Sequence, residues 1–108
     1  MKLTREEALK LHRQMWTDMQ KELGDNPSRT QRTAFKYEWI RKHFPGEYVE
    51  SGCFLCEYRN QTTRDCEQCP IDWGYNYVLS SSGCEFGKHK WGYIPISVLL
   101  ALPEREGV

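Results

Sequence analysis

Two Cys-x-x-C motifs constrain this chain more than any other feature of its sequence. Cys53 and Cys56 form the first motif, Cys66 and Cys69 form the second, and nine residues separate them. A tight turn at each motif directs both of its sulfur atoms to one side, so two motifs can surround one Zn²⁺ at about 2.3 Å per bond. Nine residues reach about 30 Å when extended, which is enough to bring the motifs together. The spacing predicts a structural zinc site with Cys53, Cys56, Cys66 and Cys69 as ligands.

The sequence leaves alternatives open for both the metal and its ligands. Iron–sulfur clusters are also held by cysteines, and Cys69-Pro70 matches the Cys-Pro of bacterial ferredoxins, although the closely set ferredoxin spacing is absent. Cys84 is either a small buried side chain or a ligand that replaces Cys66 or Cys69. His89 follows five residues later and offers a Cys-His half-site, but an ordinary surface or capping role is the favoured interpretation for every histidine. Four thiolates leave no open position for water, so a structural role is expected.

The first predicted helix covers residues 5–23. Thr4 and Glu7 have the spacing of a capping box, and Gly24 supplies a stop. Apolar residues recur at steps of three and four, at Ala8, Leu11, Met15, Met19 and Leu23. One face of this helix is therefore expected to be buried.

A second helix is predicted to begin after Asn26-Pro27 or at Ser28. It should end by His43, because Pro45-Gly46 cannot continue it. The short connection predicts an antiparallel hairpin whose core includes Met15, Met19, Phe35 and Trp39. Basic residues on the opposite faces are expected to be solvated; they are Lys10, Arg13, Lys21, Arg29, Arg32, Lys36, Arg41 and Lys42.

The helical period disappears after residue 50, where cysteine, glycine and turn residues dominate. Residues 51–90 are predicted to be loop-rich, with one strand over 71–79, and a short third helix is predicted over 96–102. The predicted fold is α+β and mostly α, in one domain. It consists of a helical hairpin (1–46) packed on a ribbon-like, four-cysteine zinc-knuckle segment (47–94), followed by a C-terminal helix and tail (95–108).

Charge and composition exclude several classes of function. Fifteen Lys and Arg balance fifteen Asp and Glu, so the net field that attracts nucleic acid or anionic lipid is missing. No apolar run at the N-terminus resembles a signal peptide, which predicts a cytoplasmic location with reduced thiols. No nucleophile elbow, phosphate-binding glycine loop or His-Glu-x-x-His motif is present. A non-enzymatic protein is expected.

The cysteine-rich half resembles a group of small proteins encoded by bacteriophages and prophages. The resemblance covers residues 53–105 and is carried by Cys53-Phe-Leu-Cys56-Glu-Tyr58, Cys66-Glu-Gln-Cys69-Pro70-Ile71-Asp-Trp73, Cys84 and Leu102-Pro103-Glu104-Arg105. It implies a compact zinc-binding fold in the cytoplasm of a bacterial host, and no particular reaction.

These observations predict a zinc-stabilised phage accessory protein that binds, and can inhibit, a host or phage protein. Surfaces of this type use aromatic anchors, and the cysteine-rich half contains six Tyr and Trp candidates, Tyr58, Trp73, Tyr75, Tyr77, Trp91 and Tyr93. The alternative is a small zinc-ribbon protein that binds nucleic acid. That alternative relies on basic residues and stacking aromatics near the cysteines, namely Arg59, Arg64, Lys88, Lys90, Tyr58, Phe86 and Trp91.

Overall fold

Four helices supply the regular structure in the computed structural model, which describes residues 1–60 (Asn60 by its backbone only), 69–85 and 87–106. The helices are α1 (Arg5–Leu23), α2 (Arg29–His43), α3 (Phe54–Asn60) and α4 (Ile96–Ala101), and a 3₁₀ turn, Glu50–Gly52, precedes α3. Within the described ranges, β-structure is limited to two isolated bridges, Ile71 with Glu104 and Asn76 with Ser81. The mostly helical prediction is confirmed, and the predicted β component reduces to these bridges in the described chain.

Both long helices begin with a capping box. The Thr4 hydroxyl accepts a hydrogen bond from the Glu7 amide at 3.1 Å, and the Glu7 carboxylate accepts one from the Thr4 amide at 2.9 Å. Ser28 and Gln31 repeat this arrangement at the start of α2, with distances of 3.1 and 2.8 Å. These reciprocal bonds satisfy amides that have no partner within a first turn. The predicted bounds of α1 are confirmed, and Ser28 is the cap of α2.

The hydrophobic core forms around α1, which packs against α2, α3 and α4. Met15 and Met19 are buried on its inner face, and Trp39 of α2 is buried beside it, with its indole N–H donating to Asp18 at 2.8 Å. Trp39 also meets Phe54 of α3 edge-to-face at 5.7 Å. These contacts confirm the predicted burial of Met15, Met19 and Trp39, while Phe35 is only partly buried.

Two basic residues of α2 are buried, which corrects the prediction of a solvated basic face. Arg32 is 1% exposed, and its guanidinium donates to the backbone oxygens of Pro27 at 2.9 Å and Trp91 at 2.7 Å. Lys36 is 5% exposed. A buried cation is stable only where bonding partners or counter-charges replace its water. Arg32 has such partners because the loop containing Trp91 returns to the start of α2.

The predicted strand over residues 71–79 is wrong. The Asp72 carboxylate accepts a hydrogen bond from the Gly74 amide, and Gly74 adopts a φ of 75°. The Asn76 side chain then accepts hydrogen bonds from the amides of Val78 and Leu79. Side chains of this type bond to the backbone two or three residues on and thereby favour turns. The alternation of apolar residues here is overridden by these local bonds.

The cysteine-rich half also contains α3, a helix that the sequence analysis did not predict. Phe54 and Leu55 in its first turn are completely buried, and the Cys53 carbonyl accepts a hydrogen bond from the Glu57 amide at 3.0 Å. A helix of seven residues is not stable by itself in water, so its packing against α1 must stabilise it.

The C-terminal helix is confirmed at Ile96–Ala101, one residue shorter than predicted. The Pro95 position provides no side-chain cap, and Asp25 from the α1–α2 connection takes this role. Its carboxylate accepts hydrogen bonds from the Ser97 amide at 2.7 Å and the Ser97 hydroxyl at 2.8 Å. Within the described residues, no helix has both the length and the apolar character needed to cross a membrane.

The Asp25 cap makes stability depend on pH in a defined direction. The hydrogen bonds from Ser97 lower the pKa of Asp25 below its ordinary 3.8. A carboxylate with a lowered pKa stabilises the fold above its unfolded-state pKa, and this contribution is lost as the pH falls through the folded-state value. We expect Asp25→Asn to melt at a lower temperature than the wild type at pH 7, with the difference closing below pH 3.8.

Thermal melts followed by circular dichroism at a series of pH values measure this difference. Glu22→Gln, at an exposed carboxyl of α1, is the matched control and should show no such pH-dependent gap. A constant difference between Asp25→Asn and the wild type from neutral pH to well below the Asp25 pKa would contradict the proposed role of the Asp25 charge.

Candidate metal centre

The first Cys-x-x-C motif lies at the start of a helix rather than in an isolated turn. Cys53 follows the 3₁₀ turn and precedes α3, and Cys56 lies in the first turn of α3. Residues three apart on a helix lie on the same face, so both sulfurs point the same way. The Cys56 thiol lies within hydrogen-bonding reach of Cys53. This local geometry brings two of the predicted ligand sulfurs close together.

Two further cysteines, Cys69 and Cys84, lie near this pair. They belong to irregular segments that hydrogen bonds to backbone oxygens hold in place. The Arg105 guanidinium donates to the Cys69 carbonyl at 3.1 Å, and the Arg105 amide donates to the Pro70 carbonyl at 2.7 Å. The Cys84 carbonyl accepts a hydrogen bond from the Trp91 amide at 3.0 Å. These bonds position Cys69 and Cys84 without regular secondary structure.

All four of these cysteines line one cavity of about 430 Å³. The cavity wall includes Cys53 and Cys56 from α3 together with Cys69 and Cys84. None of the four forms a disulfide in the described part of the chain; Cys69 is buried and the other three are partly exposed. Among the described residues, no group of three or more Cys, His, Asp or Glu side chains is arranged so that it could hold a metal ion.

The electrostatics of the cavity favour a thiolate on Cys53. The hydrogen bond from Cys56 lowers the pKa of Cys53 to about 6, and the charge of Lys36 acts in the same direction. The same hydrogen bond and the negative charge on Cys53 raise the pKa of Cys56. Burial raises the pKa of Cys69. The pair of Cys53 and Cys56 therefore shares a proton, which a bound metal cation would displace, because thiolates rather than thiols are metal ligands.

Cations surround the thiols on one side of the cavity. Lys36 lies 4.0 Å above the Trp91 ring and donates to the Ser51 carbonyl at 3.3 Å. Arg29 lies 4.7 Å from the centre of the same ring and forms an ion pair with Glu85. The cavity is also lined by Arg59. Such a wall is complementary to a net negative group.

His12 and Trp73 contribute buried nitrogen atoms that have no hydrogen-bond partner within the described part of the chain. Each residue is 2% exposed, each lines the cavity, and the unpartnered atoms are His12 Nδ1 and Trp73 Nε1. Burial lowers the pKa of His12 to about 3, so its imidazole is neutral. The Trp73 N–H is near enough to Cys69 to favour a thiolate there, without normal hydrogen-bond geometry. Buried polar atoms without partners are rare in native folds, so a group bound in the cavity could supply partners to these two atoms.

The cavity brings together three of the four predicted zinc ligands. Cys53, Cys56 and Cys69 line it, whereas Cys66 lies outside the described residues, so its assignment stays a prediction. Cys84 joins the cavity, which favours its ligand role over that of a merely buried side chain. His89 is not among the cavity-lining residues.

The sequence analysis missed two residues of this site. It predicts an ordinary surface or capping role for His12 and a solvated position for Lys36; both predictions are wrong. A signal for each was present, because His12 is four residues after Ala8 and three before Met15. Lys36 likewise precedes Trp39 by three residues. This helical spacing puts both residues on the buried faces of their helices. The sequence analysis predicted exposed positions because both side chains are polar.

Comparison of the chain with models of protein families, with curated proteins and with solved structures gives no significant match in any of the three.

Metal removal is expected to destabilise the protein strongly. Metal binding to folded thiolates contributes directly to folding free energy, on the order of 10 kcal/mol in zinc-finger peptides. We therefore expect a metal chelator to lower the free energy of unfolding by several kcal/mol, and Cys53→Ser to have the same effect.

Urea denaturation with and without chelator measures this change. The chelator should leave Cys53→Ser unaltered, because that variant has already lost the centre. A wild-type unfolding curve that is the same with and without chelator would contradict the assignment of a metal centre.

Proposed function

We propose that this is a non-enzymatic accessory protein that binds a partner protein, and that a thiolate-bound metal centre holds its binding surface in place. The resemblance of residues 53–105 to small phage and prophage proteins supports a setting in the bacterial cytoplasm. In that setting the partner is a host or phage protein, and binding can inhibit it. The sequence-predicted metal is structural Zn²⁺.

The observation that carries this proposal is an exposed apolar tip, formed by Tyr75, Tyr77, Val78 and Leu79. Tyr77 is 87% exposed and Val78 is 90% exposed. Single exposed apolar side chains are common, but a contiguous group of this kind is typical of an interaction site. Aromatic side chains are also the usual anchors of protein interfaces.

The apolar tip is held by an ordered turn. Asn76 and Ser81 exchange backbone hydrogen bonds, and the Asn76 side chain bonds to the amides of Val78 and Leu79. The Tyr75 and Tyr77 rings contact each other edge-to-face at 4.8 Å. An ordered loop loses less conformational entropy on binding than a flexible loop, which favours affinity.

The cavity of the proposed metal centre contacts both ends of the segment that carries the tip. The chain leaves the cavity at Trp73 and returns to it at Cys84. A metal bound to Cys84 would therefore fix the separation of these two ends. Fixing the two ends would hold the tip in one position, and this is the reason why a binding protein of this size would need a metal.

The surroundings of the cavity support protein binding over nucleic-acid binding. No residue from Trp73 to Cys84 carries a charge, so the segment offers no cation to phosphates. Among the cations at the cavity, Arg29 is engaged with Glu85 and Lys36 is buried against Trp91. Because Trp91 is covered by these two cations, it is not available for base stacking.

A capture experiment on bacterial lysate tests the proposed function. We expect the tagged full chain to retain a protein, and the Tyr77→Ser/Val78→Ser double variant to lose it without a change in melting temperature, because both side chains are exposed. Tyr48→Ser is the matched control, since Tyr48 is also highly exposed but lies outside the tip.

Two results would contradict the proposal. One is recovery of nucleic acid alone in a form that high salt releases, which would support the nucleic-acid alternative. The other is capture of the same partner protein by the double variant at the level of the wild type.

A further inference from the structure

The large cavity has an apolar, aromatic wall that its cysteines do not form. Trp16, Leu55 and Trp73 line the cavity, and each is no more than 2% exposed. Trp91 also lines it and contacts Trp16 edge-to-face at 6.2 Å. A volume of about 430 Å³ is typical of sites for small organic molecules, which are mostly apolar and carry a few placed polar groups. This wall suits a ligand with an aromatic body.

A buried ammonium group lines the same cavity. Lys36 is 5% exposed, and its hydrogen bond to the Ser51 carbonyl is 3.3 Å long. An ammonium has three N–H donors, so this bond leaves donors for a ligand. Among the described residues, no carboxylate forms an ion pair with Lys36. Because a buried cation is costly without a counter-charge, the carboxylate of a bound molecule would be stabilised here.

The other cations at the cavity limit the charge of such a ligand. Arg29 forms an ion pair with Glu85, and Arg59 is not free either. The ligand that fits is therefore a carboxylate with a single negative charge. A phosphate ester, which carries a charge of about −1.5 to −2 near neutral pH, would need further cations.

His12 supplies a second polar atom to this part of the cavity. Its imidazole is buried and lines the cavity, and its Nδ1 has no partner within the described part of the chain. Burial lowers the pKa of His12 most, and the charges of Arg13 and Lys36 add to this effect, so Lys36 lies near the imidazole. A neutral imidazole can donate one N–H, and a carboxylate oxygen bound at Lys36 can accept it.

Part of the cavity lining is exposed and gives a ligand access. Tyr37 is 48% exposed, and the side chains of Arg29 and Glu85 are 40% and 42% exposed. A small molecule can therefore enter while the helices stay folded.

We propose that this cavity binds a small aromatic carboxylic acid, with its carboxylate at Lys36 and His12 and its rings against Trp16, Leu55 and Trp73. This inference goes beyond the proposed function. It does not rest on the metal centre either, because the ligand bonds to none of the thiols.

Calorimetric titration of the full chain with naphthylacetate tests the inference, and its neutral amide is the matched probe. We expect one site per chain for the acid. The amide should bind more weakly by about tenfold or more, because it cannot accept a charged hydrogen bond from Lys36. Octanoate, an aliphatic acid, should also bind more weakly than naphthylacetate, because it has no ring to pack against the tryptophans.

Lys36→Met tests the role of the ammonium group, because it keeps an apolar chain of similar length and removes the charge. Replacing a buried charge by an apolar side chain is often neutral for stability. We expect this variant to bind the acid and the amide equally. Lys42→Met, at an exposed lysine of the same helix, is the matched control and should keep the preference for the acid.

The outcomes are separable from those of the proposed function. Equal affinity of the wild type for acid and amide, or binding of neither, would overturn the inference, and this comparison does not require Lys36→Met to fold. An unchanged preference in folded Lys36→Met would overturn the role of Lys36, and octanoate binding as tight as that of naphthylacetate would overturn the aromatic ligand class. Tyr77→Ser/Val78→Ser should bind naphthylacetate as the wild type does, because neither residue lines the cavity.

Discussion

The constraint on which the proposed metal centre rests is a buried positive charge beside a cluster of thiols at one cavity. Lys36 is removed from water by α2 packing, and the four cysteines present sulfur to the same space. Neither arrangement is favourable alone, because a buried cation without a counter-charge is costly and clustered thiolates repel each other. The proposed metal centre would resolve both conditions, since it would bind the thiolates together and leave a net negative group beside the lysine.

The helical part of the chain provides the frame for this cavity. The inner face of α1 supplies His12 and the core residues against which α3 packs, and α3 carries Cys56 just after Cys53. The remaining cysteines come from segments with little regular structure, held by scattered backbone bonds such as those from Arg105. The segment after Cys69 also buries Ile71 and Trp73 in the core. Coordination bonds of the proposed metal centre would add to this order, on which the exposed tip between Trp73 and Cys84 would then depend.

The sequence was sufficient to predict the parts of the fold that local chemistry determines. The capping box at Thr4, the stop at Gly24 and the Ile96–Ala101 helix follow from side-chain hydrogen bonding and backbone preferences within a few residues. The predicted strand over residues 71–79 failed for the same type of reason, because Asp72 and Asn76 bond to nearby amides and form turns.

Long-range packing determined the features that the sequence could not reveal. The α3 helix forms because the rest of the fold buries Phe54 and Leu55 completely. The burial of Lys36 depends on the distant loop that carries Trp91. The spacing of Cys84 in the sequence did not indicate that it would share a cavity with Cys53. The Cys-x-x-C motifs indicated a thiol-rich site, whereas the choice among five cysteines depends on the tertiary fold.

X-ray absorption at the metal edge of the anaerobically purified chain tests the central claim most directly, since it counts the atoms bound to the metal. The account predicts that sulfur alone surrounds the metal. It also predicts that this pattern is lost in Cys84→Ser. A spectrum dominated by nitrogen or oxygen ligands, or one that Cys84→Ser leaves unchanged, would contradict it.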